Sequence, residues 1–238
     1  MTDIALPESL GYSYDQARER LHKALQDAGR PINGAALLAV SKTKPASMIR
    51  QAWQLGQREF GENYLQEALD KQAELSDLED IVWHFIGPLQ SNKTRPVAEH
   101  FCWVHSIDRL KIAQRLSEQR PEHLSPLNVC LQVNISHEAS KSGVMPEEVK
   151  ALAQAVATLP KLRLRGLMAI PAPADGLVAQ RKPFSALHQL LVELQSELPE
   201  APLDTLSMGM SDDLEAAILE GATLVRLGTA IFGARGGV

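Results

Sequence analysis

Residues 205–235 read TLSMGMSDDLEAAILEGATLVRLGTAIFGAR. An apolar run, Thr205–Met208, passes through Gly209 into a helical pattern over Asp212–Glu220, and a second run, Leu224–Leu227, passes through Gly228 into a short helical stretch from Thr229. Neither run alternates polar with apolar residues. Continuous apolar runs are expected of parallel strands covered on both faces, and parallel strands require a helical crossover between them. The same rhythm recurs upstream, with strands expected at Leu37–Ser41, Arg58–Phe60, Ile81–Ile86, Phe101–Ser106, Leu127–Ile135 and Arg163–Ile170, each followed by a helical pattern.

About eight strand–helix units in about 200 residues fit a single closed (β/α)8 TIM barrel, with a doubly wound open sheet as the competing α/β architecture. Tyr12–Gly29 precedes the rhythm as an amphipathic helix, with Ala17, Leu21, Ala24, Leu25 and Ala28 on one face and Gly29 and Pro31 ending it. No Gly/Ser-rich linker divides the chain, so residues 1–238 read as one barrel domain with residues 1–30 packed against it.

Composition narrows the function. The 238 residues carry 29 acidic and 24 basic side chains, a net charge of −5, which argues against nucleic acid as the main partner. Cys102 and Cys130 lie inside apolar runs and read as core residues, without metal-ligand spacing. Met1–Leu6 is too short for a signal peptide, and no apolar run approaches the about 20 residues of a membrane span, so a soluble cytoplasmic protein is expected. GxSxG, CxxC, HExxH and P-loop patterns are absent.

In a βα barrel the chemistry gathers where strands end and βα loops begin. The first strand runs into AVSKTKPA, which puts Lys42 at the mouth. Partial burial there favours a neutral amine able to attack an aldehyde, with Lys44 nearby to repel a second cation. An ordinary surface lysine at a strand end fits the segment as well. After the seventh strand, Ser207, Gly209 and Met210 form a turn able to face an anion, Ser211 reads as a helix N-cap, and Asp212 and Asp213 exclude phosphate from that helix start. In the eighth strand, Arg226 is a charge in an apolar run, suited to a ring nitrogen, a phosphate, or a structural pair with a buried carboxylate. Gly228 and Thr229 open a short helix whose amides suit an anion. Asn63, His84 and Met168 lie at or near other strand ends, where core packing explains His84 and Met168 equally well. Lys141, in the loop His137–Gly143, is a further amine that could take an aldehyde opportunistically.

The segments LLAVSKTKPA, FGENYLQEALDK, WHFIGPLQSNK, VHSIDRL, QVNISHEASKSG, LRGLMAIPAP, LSMGMSDDLEAAI and VRLGTAIFGAR together resemble the pyridoxal phosphate homeostasis protein family (YggS/PROSC type), over roughly residues 30–235. The resemblance implies a barrel of the alanine racemase N-terminal type that holds pyridoxal 5′-phosphate (PLP) as a Schiff base on Lys42. It implies phosphate contacts from Ser207, Gly209 and the neighbouring Met210 amide on one side, and from Gly228 and Thr229 on the other. It places Arg226 near the pyridine nitrogen or phosphate, and Asn63, His84 and Met168 around the ring. It further implies a carrier in vitamin B6 homeostasis without catalytic turnover, with transient PLP-acceptor enzymes as possible partners. A monomer is expected, with a mouth left open because no residues remain after the barrel for a second domain. A small PLP-dependent racemase, a Schiff-base aldolase and a non-catalytic interaction protein are the competing readings.

Overall fold

The computed structural model describes residues 9–139 and 142–234. Helix α1 (Leu10–Asp27) precedes eight strands: β1 (Ala36–Val40), β2 (Glu59–Glu62), β3 (Val82–Phe85), β4 (Trp103–Ile107), β5 (Leu127–Gln132), β6 (Leu162–Met168), β7 (Thr205–Ser207) and β8 (Leu224–Leu227). All neighbours are parallel and follow chain order, and β8 returns to β1 with Leu38 opposite Arg226. The sheet is therefore a closed barrel, not an open one. One helix follows each strand: α2 (Ala46–Gln54), α3 (Leu65–Glu74), α4 (Thr94–His100), α5 (Leu110–Gln119), α6 (Val149–Ala157), α7 (Leu177–Glu197), α8 (Leu214–Leu219) and α9 (Thr229–Phe232).

Strand side chains alternate between two environments. Ala39, Phe60, Phe85, Val104, Leu131, Leu206 and Val225 point outward and join Ile49, Val97, Leu116 and Phe184 of the helices in one continuous apolar shell. Burying each such large side chain contributes about 1.5–3 kcal/mol, which makes this shell the main source of stability. The opposite series points inward. Leu38, Val40 and Ile86 form one small cluster there, and Trp103, Cys130 and Met168 another. The rest of the interior is polar, occupied by His84, His105, Ser207 and Arg226, all buried.

Helix α1 is joined to the barrel by specific bonds as well as by packing. Tyr14 Oη donates to Gln57 Oε1 at 2.9 Å, and Gln57 Nε2 donates to Leu37 O at 2.8 Å. At its other end Arg20 pairs with Glu215 of α8 at 2.8 Å.

Two helix starts differ from those expected. The sequence pattern places a helix over Lys182–Leu198, but α7 begins earlier, at Leu177, with Pro183 inside it, where one i→i−4 hydrogen bond is missing. Helix α8 begins at Leu214, with Asp213 rather than Ser211 at the N-cap. The Asp213 carboxylate does not cap the helix but turns back to accept from Met210 N. Strand β5 ends at Gln132, short of the expected Ile135, because the chain turns at Asn134, where His137 N–H donates back to Asn134 O.

Candidate cofactor site at the barrel mouth

The inward series Leu38, Val40 continues to Lys42, the second residue past β1, half-buried in a turn. Lys44 N–H donates to Ser41 O at 3.1 Å and closes that turn, and Thr43 takes a left-handed φ of 66°. This conformation is costly for a β-branched residue and persists only where neighbours impose it. A buried ionic cluster imposes it here. Lys71 of α3 reaches Ser41 O, Glu62 Oε1 and Glu67 Oε1, each at 2.7 Å. Ser41 Oγ also donates to Glu62 Oε1, and Glu67 Oε1 accepts the Thr43 N–H at 2.5 Å. Burial lifts the Glu62 carboxyl above the usual carboxylate range, against the pull of Lys71 and Ser41. The cluster thus fixes the backbone on both sides of Lys42.

The turn adjoins the start of α9. A Cβ on Gly228 would stand 3.3 Å from Val40 O, so only a small residue lets these two strand ends meet. Lys44 Nζ donates to Ala234 O at 2.6 Å, tying the same turn to the end of α9. Ile231 and Phe232 N–H return to Gly228 O. The amides of Gly228, Thr229 and Ala230 precede those bonds at the helix start, where amides have no intrahelical acceptor.

Arg226 lies inside the barrel with its guanidinium donating from Nη1 to Ser207 Oγ at 2.7 Å and from Nη2 to Ala169 O at 3.0 Å. Burial lowers it to about 10, so it remains a cation at neutral pH. Among the described residues no carboxylate forms a salt bridge with it, which removes the structural-pair reading. Its remaining N–H groups can serve a ligand. Arg226 borders a cleft of about 430 Å³ between the loop Pro171–Asp175 and the turn at Gly209–Met210. That volume is within the range of small-molecule sites.

The sequence-derived site residues divide into two groups. Gly209 and Arg226 line the cleft, whereas Lys42, Gly228 and Thr229 follow the paired ends of β1 and β8. Asn63 follows β2, and Gly87 packs so closely on it that a Cβ would stand 2.2 Å from Asn63 O. Asn63 Oδ1 is buried with no hydrogen-bond partner in the protein, as fits an acceptor kept for a ligand group. The other four, Ser207, His84, Met168 and Met210, have partners within the protein. The Ser207 hydroxyl is buried between Arg226 and His105, and the Met210 amide donates to Asp213 at 2.8 Å. Met168 is fully buried against Trp103 and Cys130, and His84 stacks on Trp103 at 5.3 Å between ring centroids, so both are interior residues. The Cys130 thiol, pushed up to about 12 by burial, is inert. Lys141 lies outside the described residues. Among the described residues no His, Cys, Asp and Glu cluster could hold a metal.

Sequence reading missed His105, Glu59, Lys71 and Glu67. The motif FGENYLQEALDK does show Glu67 and Lys71 four residues apart on one helix, but nothing in it reveals that Lys71 is buried.

A closed parallel barrel with a lysine on the turn after β1 and an arginine inside β8 is a barrel of the alanine racemase N-terminal type. The family model "Alanine racemase, N-terminal domain" matches residues 13–236. The chain belongs, more narrowly, to the pyridoxal phosphate homeostasis protein family. The Pseudomonas aeruginosa pyridoxal phosphate homeostasis protein is 67% identical over 216 residues, covering 91% of each chain. The Escherichia coli K12 protein of the same name is 55% identical over 238 residues, covering 99% of this chain and 98% of its own. The structure of PipY from Synechococcus elongatus with PLP bound superposes with a TM-score of 0.82 at 38% identity, covering 94% of this chain and all of that one.

Proposed function

We propose that this protein holds PLP covalently on Lys42 and acts in intracellular PLP homeostasis as a carrier. The observation that carries the reading is the Lys42 turn, strained at Thr43 and clamped by Lys71, set against the glycine-opened start of α9. Lys42 would hold the cofactor through its amine, which can add to an aldehyde with loss of water in a link that water can reverse. PLP when bound supplies an electron sink. The amides at Gly228–Ala230 and the Gly209 turn take the phosphate. Asn63 Oδ1 accepts a hydrogen bond from a ring substituent.

Arg226 would meet the ring nitrogen. A cationic guanidinium can only donate, so the nitrogen it meets stays unprotonated and the sink stays weak. This suits storage and release better than carbanion chemistry. Transfer to acceptor enzymes, a monomeric state and a cytoplasmic location belong to the same proposal. Among the described residues no helix is long and apolar enough to cross a membrane.

The test is an absorption titration with PLP. Wild type develops the Schiff-base band, Lys42→Ala does not, and Lys44→Ala retains most of it. Racemisation or decarboxylation of amino acids at ordinary enzyme rates, about 1–1,000 per second, would overturn the carrier role.

A further inference from the structure

A continuous hydrogen-bonded chain crosses the barrel interior beneath the site. Arg226 Nη1 meets Ser207 Oγ at 2.7 Å, Ser207 Oγ meets His105 Nδ1 at 2.8 Å, His105 Nε2 meets His84 Nδ1 at 2.9 Å, and His84 Nε2 meets Glu59 Oε1 at 3.1 Å. Arg226 stands near the mouth. Glu59 opens β2 at the opposite end of the barrel, with its side chain about one-third exposed. Barrel interiors are ordinarily filled with branched apolar side chains, so a polar file through the centre calls for a reason.

The two ends set the direction of every bond. A guanidinium can only donate and an ionised carboxylate can only accept. Ser207 must therefore pass its own hydrogen to His105 Nδ1. His105 must carry its hydrogen on Nε2 and give it to His84 Nδ1. His84 must carry its hydrogen on Nε2 and give it to Glu59. One arrangement of three hydrogens satisfies all four contacts with both imidazoles neutral. Burial lowers the affinity of both rings for a second proton, and at His105 the neighbouring His84 and the Arg226 charge add to the effect.

We propose that Glu59, His84 and His105 are positioning residues for Arg226: through Ser207 they fix the guanidinium's orientation toward the mouth. The consequence for the cofactor rests on the reading that Arg226 meets the PLP ring. The relay itself does not. A direct carboxylate partner for Arg226 would occupy the donors that the ligand needs. A relayed one leaves them available.

The relay is tested in the ligand-free protein by ¹⁵N NMR of the histidine rings, and its effect on the cofactor by the absorption maximum and PLP affinity of variants. In wild type both His84 and His105 are expected as neutral Nε2–H tautomers. Glu59→Leu, a change on the partly exposed side, removes the last acceptor. It should mix the tautomers of both rings, displace the absorption band and weaken PLP binding about two- to tenfold, the worth of one hydrogen bond. Glu59→Gln keeps an acceptor at the same place and should restore most of the band position and affinity. A hydrogen on Nδ1 of either ring in wild type would overturn the proposal. So would a folded Glu59→Leu protein with wild-type tautomers, band and affinity. Absence of any PLP band in wild type would instead strike the cofactor reading, and the tautomers alone would then decide on the relay.

Discussion

Replacing Lys71 by methionine removes the cation at the centre of the cluster that holds the Lys42 turn. The ammonium makes three contacts of 2.7 Å, to Ser41 O, Glu62 Oε1 and Glu67 Oε1, and its side chain is 7% exposed while that of Glu62 is wholly buried. Methionine fills the stem's volume but leaves the Glu62 carboxylate without its counter-ion. Breaking a buried pair in this way costs about 3–5 kcal/mol. For a chain of this size that is a fall in Tm of about 6–20 °C, at about 2–4 °C per kcal/mol. Burial already raises the Glu62 carboxyl, and loss of Lys71 raises it further. A group whose folded value lies above its unfolded one binds its proton more tightly in the folded state. The deficit should therefore be smallest in acid and grow as pH rises through the folded value. Scanning calorimetry of the variant from pH 5 to 8 against wild type measures both effects. Adding Glu62→Gln should recover a large part of the loss by removing the stranded charge. A Tm within about 2 °C of wild type, from a cost under about 1 kcal/mol, would refute the reasoning, as would a double variant no more stable than the single one.

Gly209→Ala places a Cβ 2.6 Å from Ala217 Cβ at a φ of 102°, so it should destabilise by about 1–3 kcal/mol and weaken PLP binding through the displaced turn, as read by thermal melts and titration. His84 and His105, both held below the usual histidine value of 6.5 by burial, stay neutral in the folded protein while the unfolded chain protonates. Stability should thus fall as pH drops below about 6.5, by up to about 1.4 kcal/mol per pH unit for each ring, until the folded values are reached, and urea melts between pH 7 and 5 would show that slope. The slope should be roughly halved in His105→Phe, where one of the two rings is gone.

Much of the barrel was legible because parallel strands buried on both faces appear as short apolar runs punctuated by glycine. Lys42, Arg226 and Gly228 were legible for a related reason: a charge or a glycine at the end of such a run has few structural excuses. The interior relay was not. Glu59 and His105 are unremarkable in their own segments, and with His84 and Ser207 they become a chain only when β2, β3, β4 and β7 close around one axis. Lys71 was hidden for another reason, since a lysine on an amphipathic helix ordinarily extends into solvent. The misplaced start of α8 came from reading Ser211 as its N-cap, whereas the chain starts α8 after Asp213 and uses the Asp213 carboxylate in a turn.

The most direct measurement is borohydride reduction of the PLP-loaded protein followed by peptide mapping. A single reduced adduct on the peptide bearing Lys42, lost in Lys42→Ala, is the predicted result. Adducts on Lys44 or Lys141 in place of Lys42, or spread without preference over surface lysines, would contradict the account.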